Sequence, residues 1–304
     1  MNDVISSPIR WTGSKRKLLN EMLYVFDREK EIYVEPFLGS GTVLLNVLKN
    51  ELYNYYYVND INSNLIDFYK SLKDNYGKLS KVIIRICKEY NSLMSIDEKE
   101  AYYYSMRERY NNNRSKVFTR AAIFWFLMKS GYNGVYRINS NGKFNVPFGK
   151  KNTISFDLDS ARYISELIQP VRFYSLEYAD FIEVIAKKGI LSTAFLYCDP
   201  PYIPETKAMR NQILYTKNRF EHTDFVLRML ECNLKHNTTF MISMSDSEST
   251  DELYNIWNFN KIHICDIIRS VNPKKRLASR EVAFLNYDIV KIECSKKVEA
   301  EIKF

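Results

Sequence analysis

The segment richest in chemistry is Phe195-Leu196-Tyr197-Cys198-Asp199-Pro200-Pro201-Tyr202, an apolar run that ends in an acid, two prolines and an aromatic. Consecutive prolines stop a strand, supply no N–H groups, and hold the chain extended so that neighbouring carbonyl oxygens face outward. The product is an acceptor-only surface beside an aromatic face. An exocyclic amino group on a nucleobase is its complement, with two N–H donors on a flat ring. Asp199 and the Pro200 carbonyl would hold the nitrogen while Tyr202 stacks on the ring.

A second chemical feature is the turn Phe37-Leu38-Gly39-Ser40-Gly41-Thr42 between an apolar run and a helical one. Gly39 and Gly41 suit a loop that brings backbone N–H groups and a helix amino terminus to a ligand lying across strand ends. A dinucleotide fingerprint would place a third glycine where Leu44 stands, so a nicotinamide oxidoreductase is disfavoured. Asp60, nineteen residues beyond Gly41, is placed to accept hydrogen bonds from both ribose hydroxyls of an adenosine group.

These groups need a scaffold that gathers strand ends. Alternating apolar runs predict strands over 32–35, 55–59, 171–176, 194–198, 239–244, 262–268 and 282–287. Helical spacing predicts helices over 43–52, from Asn62-Ser63-Asn64 through Leu72, and over 160–167, 178–187, 223–235 and 250–257. Strand and helix alternate as in a parallel sheet with crossover helices. Between them, residues 70–126 are helical and polar, closing with the apolar helix TRAAIFWFLMKS, and GYNGVYRINSNGKFNVPFGKKN reads as a hairpin turning at Ser140-Asn141-Gly142.

Composition narrows the class. With 46% apolar and 26% charged residues the chain is an ordinary folded protein, and its formal charge of +8 suits a polyanionic partner. The five cysteines form no Cys-x-x-Cys pair and only three histidines are present, so metal-centred chemistry and histidine triads are poorly supplied. No apolar run has the length of a membrane span and the first residues lack a signal-peptide pattern, which leads us to expect a cytoplasmic protein.

Four motifs in order give the chain a resemblance to the Dam family of DNA adenine-N6 methyltransferases, which use S-adenosylmethionine. Asp199 to Tyr202 resembles the family's catalytic tetrad, WTGSKRKLL (11–19) its amino-terminal cofactor motif, VEPFLGSGT (34–42) its glycine motif, and NDINSNLI (59–66) its ribose-binding motif. Their order is that of the alpha arrangement of amino-methyltransferases. The resemblance implies an α/β, Rossmann-like S-adenosylmethionine-dependent methyltransferase sheet formed by 1–69 and 156–304. Residues 70–155 would then be a mostly helical target-recognition insertion carrying the β-hairpin. It also implies transfer of a methyl group from S-adenosylmethionine, leaving S-adenosylhomocysteine, to the N6 amino group of an adenine flipped from duplex DNA, without a metal.

The same resemblance assigns roles by position. Trp11 and Lys15 would flank the methionine portion of the cofactor, Glu35, Phe37, Gly39, Ser40 and Gly41 would wrap its amino acid and ribose, and Asp60 would hold the ribose hydroxyls. Asp180 would contact the adenine amino group and Phe181 pack on that ring, although a phenylalanine there serves a core as readily. In the hairpin, Tyr132, Asn133, Val135, Arg137, Asn145 and Pro147 fall on the family's recognition positions. Arg137 would read a guanine bidentately and Tyr132 would enter the base stack; the competing arrangement has Arg137 on a phosphate and Tyr132 packed inward. Lys150, Lys274, Lys275 and Arg276 would position phosphates. The leading target is GATC.

The partner implied is double-stranded DNA, with either a cognate restriction endonuclease as a functional partner, no stable complex being implied, or a solitary role. The setting implied is bacterial or phage-type cytoplasm at the nucleoid. Two alternatives stay open here. One is cytosine-N4 methylation, where related enzymes usually carry Ser in place of Asp199. The other is a DNA-binding module with a degenerate pocket.

Overall fold

A computed structural model of the protein describes residues 4–112, 115–203, 220–257, 259–268 and 278–289, with side chains for all of these except 265–268 and 278–280. The parallel strands β1 (Ile32–Glu35), β2 (Tyr55–Asn59), β3 (Val171–Tyr174), β4 (Ala194–Cys198) and β5 (Thr239–Ser245) are joined by β6 (Asn260–Ile268) and β7 (Ala278–Leu285). Among the described residues they form one sheet of order β3-β2-β1-β4-β5-β7-β6, in which β7 alone runs opposite to the other strands. Strand order reverses beside β1, whose partners are β2 on one side and β4 on the other. In open α/β sheets ligands bind at the carboxyl ends of the strands at such a reversal.

Both faces of the sheet are covered, as the strands' continuous apolar character requires. Strand periodicity sends Tyr33, Val58, Phe195, Tyr197 and Met241 into one apolar cluster and Val34, Tyr57, Leu196, Cys198 and Ile242 into the other. On the first face lie α1 (Leu19–Tyr24), α2 (Thr42–Lys49), α3 (Ser63–Asp74), and, further along the chain, α4 (Tyr76–Ser92), α5 (Ile96–Asn111), α6 (Val117–Ser130) and α7 (Leu158–Leu167). The second face carries α8 (Tyr178–Lys187), α9 (His222–His236) and α10 (Glu248–Tyr254). No described helix is long and apolar enough to cross a membrane.

The helices of residues 76–130 are built around α6. Every residue from Ala121 to Met128 is buried, so over these two turns the helix has no solvent face and must be the centre of a bundle. Its Trp125 Nε1 donates to the Pro8 carbonyl at 2.9 Å, and α3, which runs across the boundary expected at 69/70, packs on it. These helices thus share an apolar cluster with one face of the sheet.

Element ends differ from the sequence expectations where side chains intervene. β3 stops at Tyr174 because Leu176 is diverted to the Asn59 amide, which accepts from its N–H at 2.9 Å and donates to its carbonyl at 3.0 Å. β7 ends at Leu285, where Asn286 Oδ1 takes the Phe240 N–H at 2.7 Å. α2 ends at Lys49, and Glu51 just beyond adopts φ 49°.

The hairpin forms with its turn one residue wider than Ser140-Asn141-Gly142. Asn139 Oδ1 accepts from the N–H groups of Asn141 and Lys143, both at 3.0 Å, and Gly142 sits at φ 72°. Its two arms cross the end of α6 so closely that a Cβ on Gly149 would lie 2.7 Å from the carbonyl oxygens of both Ser130 and Gly131. Gly149→Ala should therefore cost about 1–3 kcal/mol by forcing backbone apart, and a urea unfolding midpoint is the direct measure. An unchanged midpoint would mean that the crossing is looser than described.

Candidate active site

Three carboxylates stand immediately at or beyond the ends of three adjacent parallel strands: Glu35 on β1, Asp60 after β2 and Asp199 after β4. Like charges in one cleft repel, and each is handled differently.

Asp60 turns back on the glycine loop. Its Oδ2 accepts from the Gly39 N–H and its Oδ1 from the Asn62 N–H, both at 2.9 Å. Loss of water around the carboxylate raises its pKa to about 6, against the pull of those two N–H groups. Glu35 is 1% exposed and accepts from the Tyr33 hydroxyl at 3.0 Å. Burial pushes its carboxyl well above the usual range, opposed by the Tyr33 bond and reinforced by Asp199 and Asp60.

Asp199 is held by Lys15. The ammonium, only 6% exposed, reaches its two oxygens at 2.7 and 2.6 Å. A buried ammonium is costly unless paired and bonded. Lys15 Nζ also lies 5.0 Å from the centroid of the Tyr202 ring, within the range of a cation–π contact. On sequence Lys15 belongs to the cofactor motif; in the folded chain it joins that motif to the Asp199 tetrad.

The glycine loop corrects one expectation. The N–H of Gly39 goes to Asp60 and that of Gly41 to the Leu38 carbonyl at 2.9 Å, so these donors serve the turn itself rather than being displayed to a ligand. What the glycines supply is backbone shape and closeness. Gly41 caps α2 at φ 71°, and a Cβ there would lie 2.5 Å from the Tyr69 hydroxyl. Ser40 is buried, with its hydroxyl 2.8 Å from that of Thr42. Trp11 closes the other side, stacked on Tyr136 at 5.8 Å, with its ring 3.8 Å from the position a Gly39 Cβ would take.

Asp180 is exposed in the first turn of α8, two residues beyond Tyr178, whose ring lies 5.6 Å from that of Phe37. Phe181 is 0% exposed and tilted against Tyr174, which makes it a core residue with no ring face available in this structure. Phe37, partly buried among Tyr178, Phe220 and Phe225, is the aromatic that reaches the strand ends there.

The hairpin sorts its residues by face. Tyr136, Phe144, Val146 and Phe148 enter the core, while Tyr132, Asn133, Arg137, Pro147 and Lys150 are exposed and Val135 and Asn145 half-buried. Tyr132 at 57% exposure does not pack inward. Arg137 is braced by Asn145: its Nε donates to Oδ1 at 2.8 Å and its Nη2 to the backbone carbonyl at 3.1 Å. Asn133 and Lys150 hold positive φ of 53° and 51°. Lys274, Lys275 and Arg276 lie outside the described residues.

A fourth carboxylate, absent from every motif, also stands at the site. Glu281 on β7, 3% exposed, accepts from the Tyr202 hydroxyl at 2.8 Å (Oε1) and 2.6 Å (Oε2). The available signal was a carboxylate opening the apolar run Glu281-Val282-Ala283-Phe284-Leu285, but its partner is distant in sequence.

The chain is similar over most of its length to known proteins. The chain is 29% identical over 290 residues to the Type II methyltransferase M.MjaIII of Methanocaldococcus jannaschii, covering 92% of this chain and 98% of that one. It is 30% identical over 279 residues to the DNA adenine methylase of Haemophilus influenzae, covering 90% and 91%. A solved rRNA methyltransferase, aviRa of Streptomyces viridochromogenes, aligns with a TM-score of 0.34 at 10% identity over 90% of this chain and 84% of that one, too slight a likeness to bear an argument. Residues 11–271 match the family described as D12 class N6 adenine-specific DNA methyltransferase, a span that takes in Trp11 beside the glycine loop and the whole Asp199 tetrad. The cytosine-N4 and oxidoreductase alternatives fall away, and the chain belongs to the D12 class of N6 adenine-specific DNA methyltransferases.

Proposed function

We propose that the protein transfers a methyl group from S-adenosylmethionine to the N6 amino group of an adenine turned out of duplex DNA, within GATC. The observation that carries this reading is the meeting of Asp60, Glu35 and Asp199 with Tyr202 at the strand ends where the order reverses. The residues present fit the cofactor. Asp60 accepts one backbone N–H on each oxygen, and a carboxylate oxygen has further acceptor directions for a ribose hydroxyl, while Trp11 lies beside the Gly39 turn. Trp11, Lys15, Glu35, Phe37, Gly39, Ser40, Gly41, Asp60 and Asp180 would line the bound nucleoside and amino acid.

When bound, S-adenosylmethionine supplies a methyl group activated by its sulfonium. The chain's task is the nitrogen. Adenine's amino lone pair is delocalised into the ring, so the group is planar and a poor nucleophile. Asp199 and the Pro200 carbonyl accept its two protons and favour a tetrahedral nitrogen whose lone pair leaves the ring plane. Asp199 can do this while paired, since each carboxylate oxygen has more than one acceptor direction and Lys15 occupies one of each. Methylation makes the amine strongly acidic, so its proton is lost without a base of high pKa. Turning the base out costs a few kcal/mol, which stacking on Tyr202 offsets in part.

Residues 70–155 would serve as the target-recognition part and 1–69 with 156–304 as the catalytic part. Arg137 would read guanine, with Tyr132 entering the stack and Val135 and Pro147 touching a thymine methyl. Asn133, Asn145 and Lys150, together with Lys274, Lys275 and Arg276, would complete the DNA contacts. The names of the two relatives are compatible with either a restriction-linked or a solitary role; the setting that goes with this proposal is the nucleoid in the cytoplasm. The test is incubation of unmethylated plasmid with labelled S-adenosylmethionine, then challenge with nucleases that sense GATC methylation. Label in the plasmid with altered cutting at GATC is expected. Label without altered cutting would refute GATC, and no label from folded protein would refute the transfer.

Asp60 adds a pH dependence. Its carboxyl is raised to about 6, so above that pH it is an anion able to accept from two hydroxyls, and below it a proton removes one acceptor. Affinity for S-adenosylhomocysteine, measured by calorimetry, should be level from pH 8 to about 6.5 and fall several-fold toward pH 5. Asp60→Asn should bind more weakly and flatten this fall, which separates it from titration of the nearby Glu35. A level wild-type affinity down to pH 5 would contradict the assignment.

A further inference from the structure

Strand β7 carries a charge where its pattern calls for none. Val282, Ala283, Phe284 and Leu285 are all buried, as befits a strand with neighbours on both sides, and Glu281 at 3% exposure opens that run with an equally buried carboxylate. Its register partner on β5 is Ser245, the last residue of that strand, so Glu281 lies at the edge of the sheet where Asp199 and Tyr202 stand. A buried carboxylate is expensive unless bonded. Here the Tyr202 hydroxyl donates across both oxygens, at 2.8 and 2.6 Å.

We infer that Glu281 is a positioning residue for methyl transfer: by anchoring the Tyr202 hydroxyl to β7, it fixes the ring on which the extruded adenine stacks. The inference rests on the stacking role given to Tyr202 above. At its backbone end Tyr202 follows two prolines, which restrict the chain. At its far end the hydroxyl hydrogen favours the plane of the ring, because the oxygen lone pair conjugates with it, so a fixed acceptor sets both the place and the tilt of the ring. Lys15, 5.0 Å from the ring centroid, ties the same ring to Asp199. The stacking surface and the amino-proton acceptor are thereby held in one frame whose outer support is Glu281.

The experiment compares Glu281→Ala, Glu281→Gln, Tyr202→Phe, the double variant Glu281→Ala/Tyr202→Phe, and Tyr202→Ala in the full-length protein. It reads kcat, KM for DNA, affinity for S-adenosylhomocysteine, and the fluorescence of a duplex carrying 2-aminopurine at the target adenine. Glu281→Ala and Tyr202→Phe should each lower kcat about tenfold, and the double variant should lose the same tenfold rather than a hundredfold. Glu281→Gln keeps an oxygen acceptor and should recover most of the rate. S-adenosylhomocysteine affinity should not move, and 2-aminopurine should be brighter in Glu281→Ala because a loose ring quenches the extruded base less. Additive losses in the double variant would overturn the inference. So would a wild-type kcat in Glu281→Ala alongside a large loss in Tyr202→Ala. A wild-type rate in Tyr202→Ala would instead remove the stacking role itself, and the inference with it. Should Glu281→Ala fail to fold, Tyr202→Phe decides, and an undiminished rate there is fatal.

Discussion

Asp199→Ala should lower methyl transfer by about 10³-fold or more while S-adenosylhomocysteine affinity stays within a few-fold of wild type. The carboxylate is one of the two acceptors that draw the adenine nitrogen out of planarity, and of the proposed cofactor contacts Trp11, the glycine loop and Asp60 keep their own bonds, while Lys15 loses its Asp199 partner. The substitution also strands Lys15. Removing one partner of a fully buried pair costs about 3–5 kcal/mol; the cost here is smaller because Asp199 keeps 21% of its side-chain surface exposed while Lys15 keeps 6%. Stability and activity must therefore be read separately. The double variant Lys15→Met/Asp199→Ala removes the stranded charge and should recover much of the lost unfolding midpoint without recovering turnover. Turnover that returns with stability would show that Asp199 is a structural partner of Lys15 and nothing more.

Arg137→Ala should lose discrimination at one base pair rather than affinity in general. A bidentate arginine–guanine contact carries about 1–3 kcal/mol, so preference for guanine at that position should fall by roughly 5- to 150-fold in kcat/KM. Preorganisation favours a large effect: Asn145 accepts from Nε and Nη2 of the guanidinium, which holds the exposed arginine at the hairpin surface before DNA arrives. Asn145→Ala should reproduce part of the loss. Lys150→Ala offers the contrast, because a phosphate contact should weaken all sequences alike and reduce the salt slope of binding by about one. A uniform, salt-dependent loss for Arg137→Ala would move it to the backbone and leave target choice to other residues.

Much of this arrangement was legible in the amino-acid sequence because local chemistry and global placement agree. The run 194–198 is apolar and the prolines beyond it cannot continue a strand, so Asp199 had to sit at a strand end. The same logic located Asp60 beyond β2. Asn62 capping α3 was visible too, since an asparagine before Leu65, Phe68 and Leu72 has that use, and its Oδ1 does accept from the Asn64 and Leu65 N–H groups. Pairings between remote segments were not legible. Lys15 and Asp199 are 184 residues apart and Tyr202 and Glu281 79 apart. Nothing local in either pair specifies the other, and the sheet order that brings them together is a tertiary fact. Phe181 shows the converse failure: position within a motif suggested a ligand contact, and packing against Tyr174 claimed the ring for the core.

The central claim is that this site methylates the amino group of adenine in DNA, with Asp199 as an acceptor for its protons. Mass spectrometry of nucleosides from an unmethylated plasmid, treated with S-adenosylmethionine and either wild-type or Asp199→Ala protein, tests it most directly. N6-methyladenine with the wild type, none above background with the variant, and no N4-methylcytosine with either is the predicted result. N4-methylcytosine, or equal N6-methyladenine from both proteins, would contradict the account.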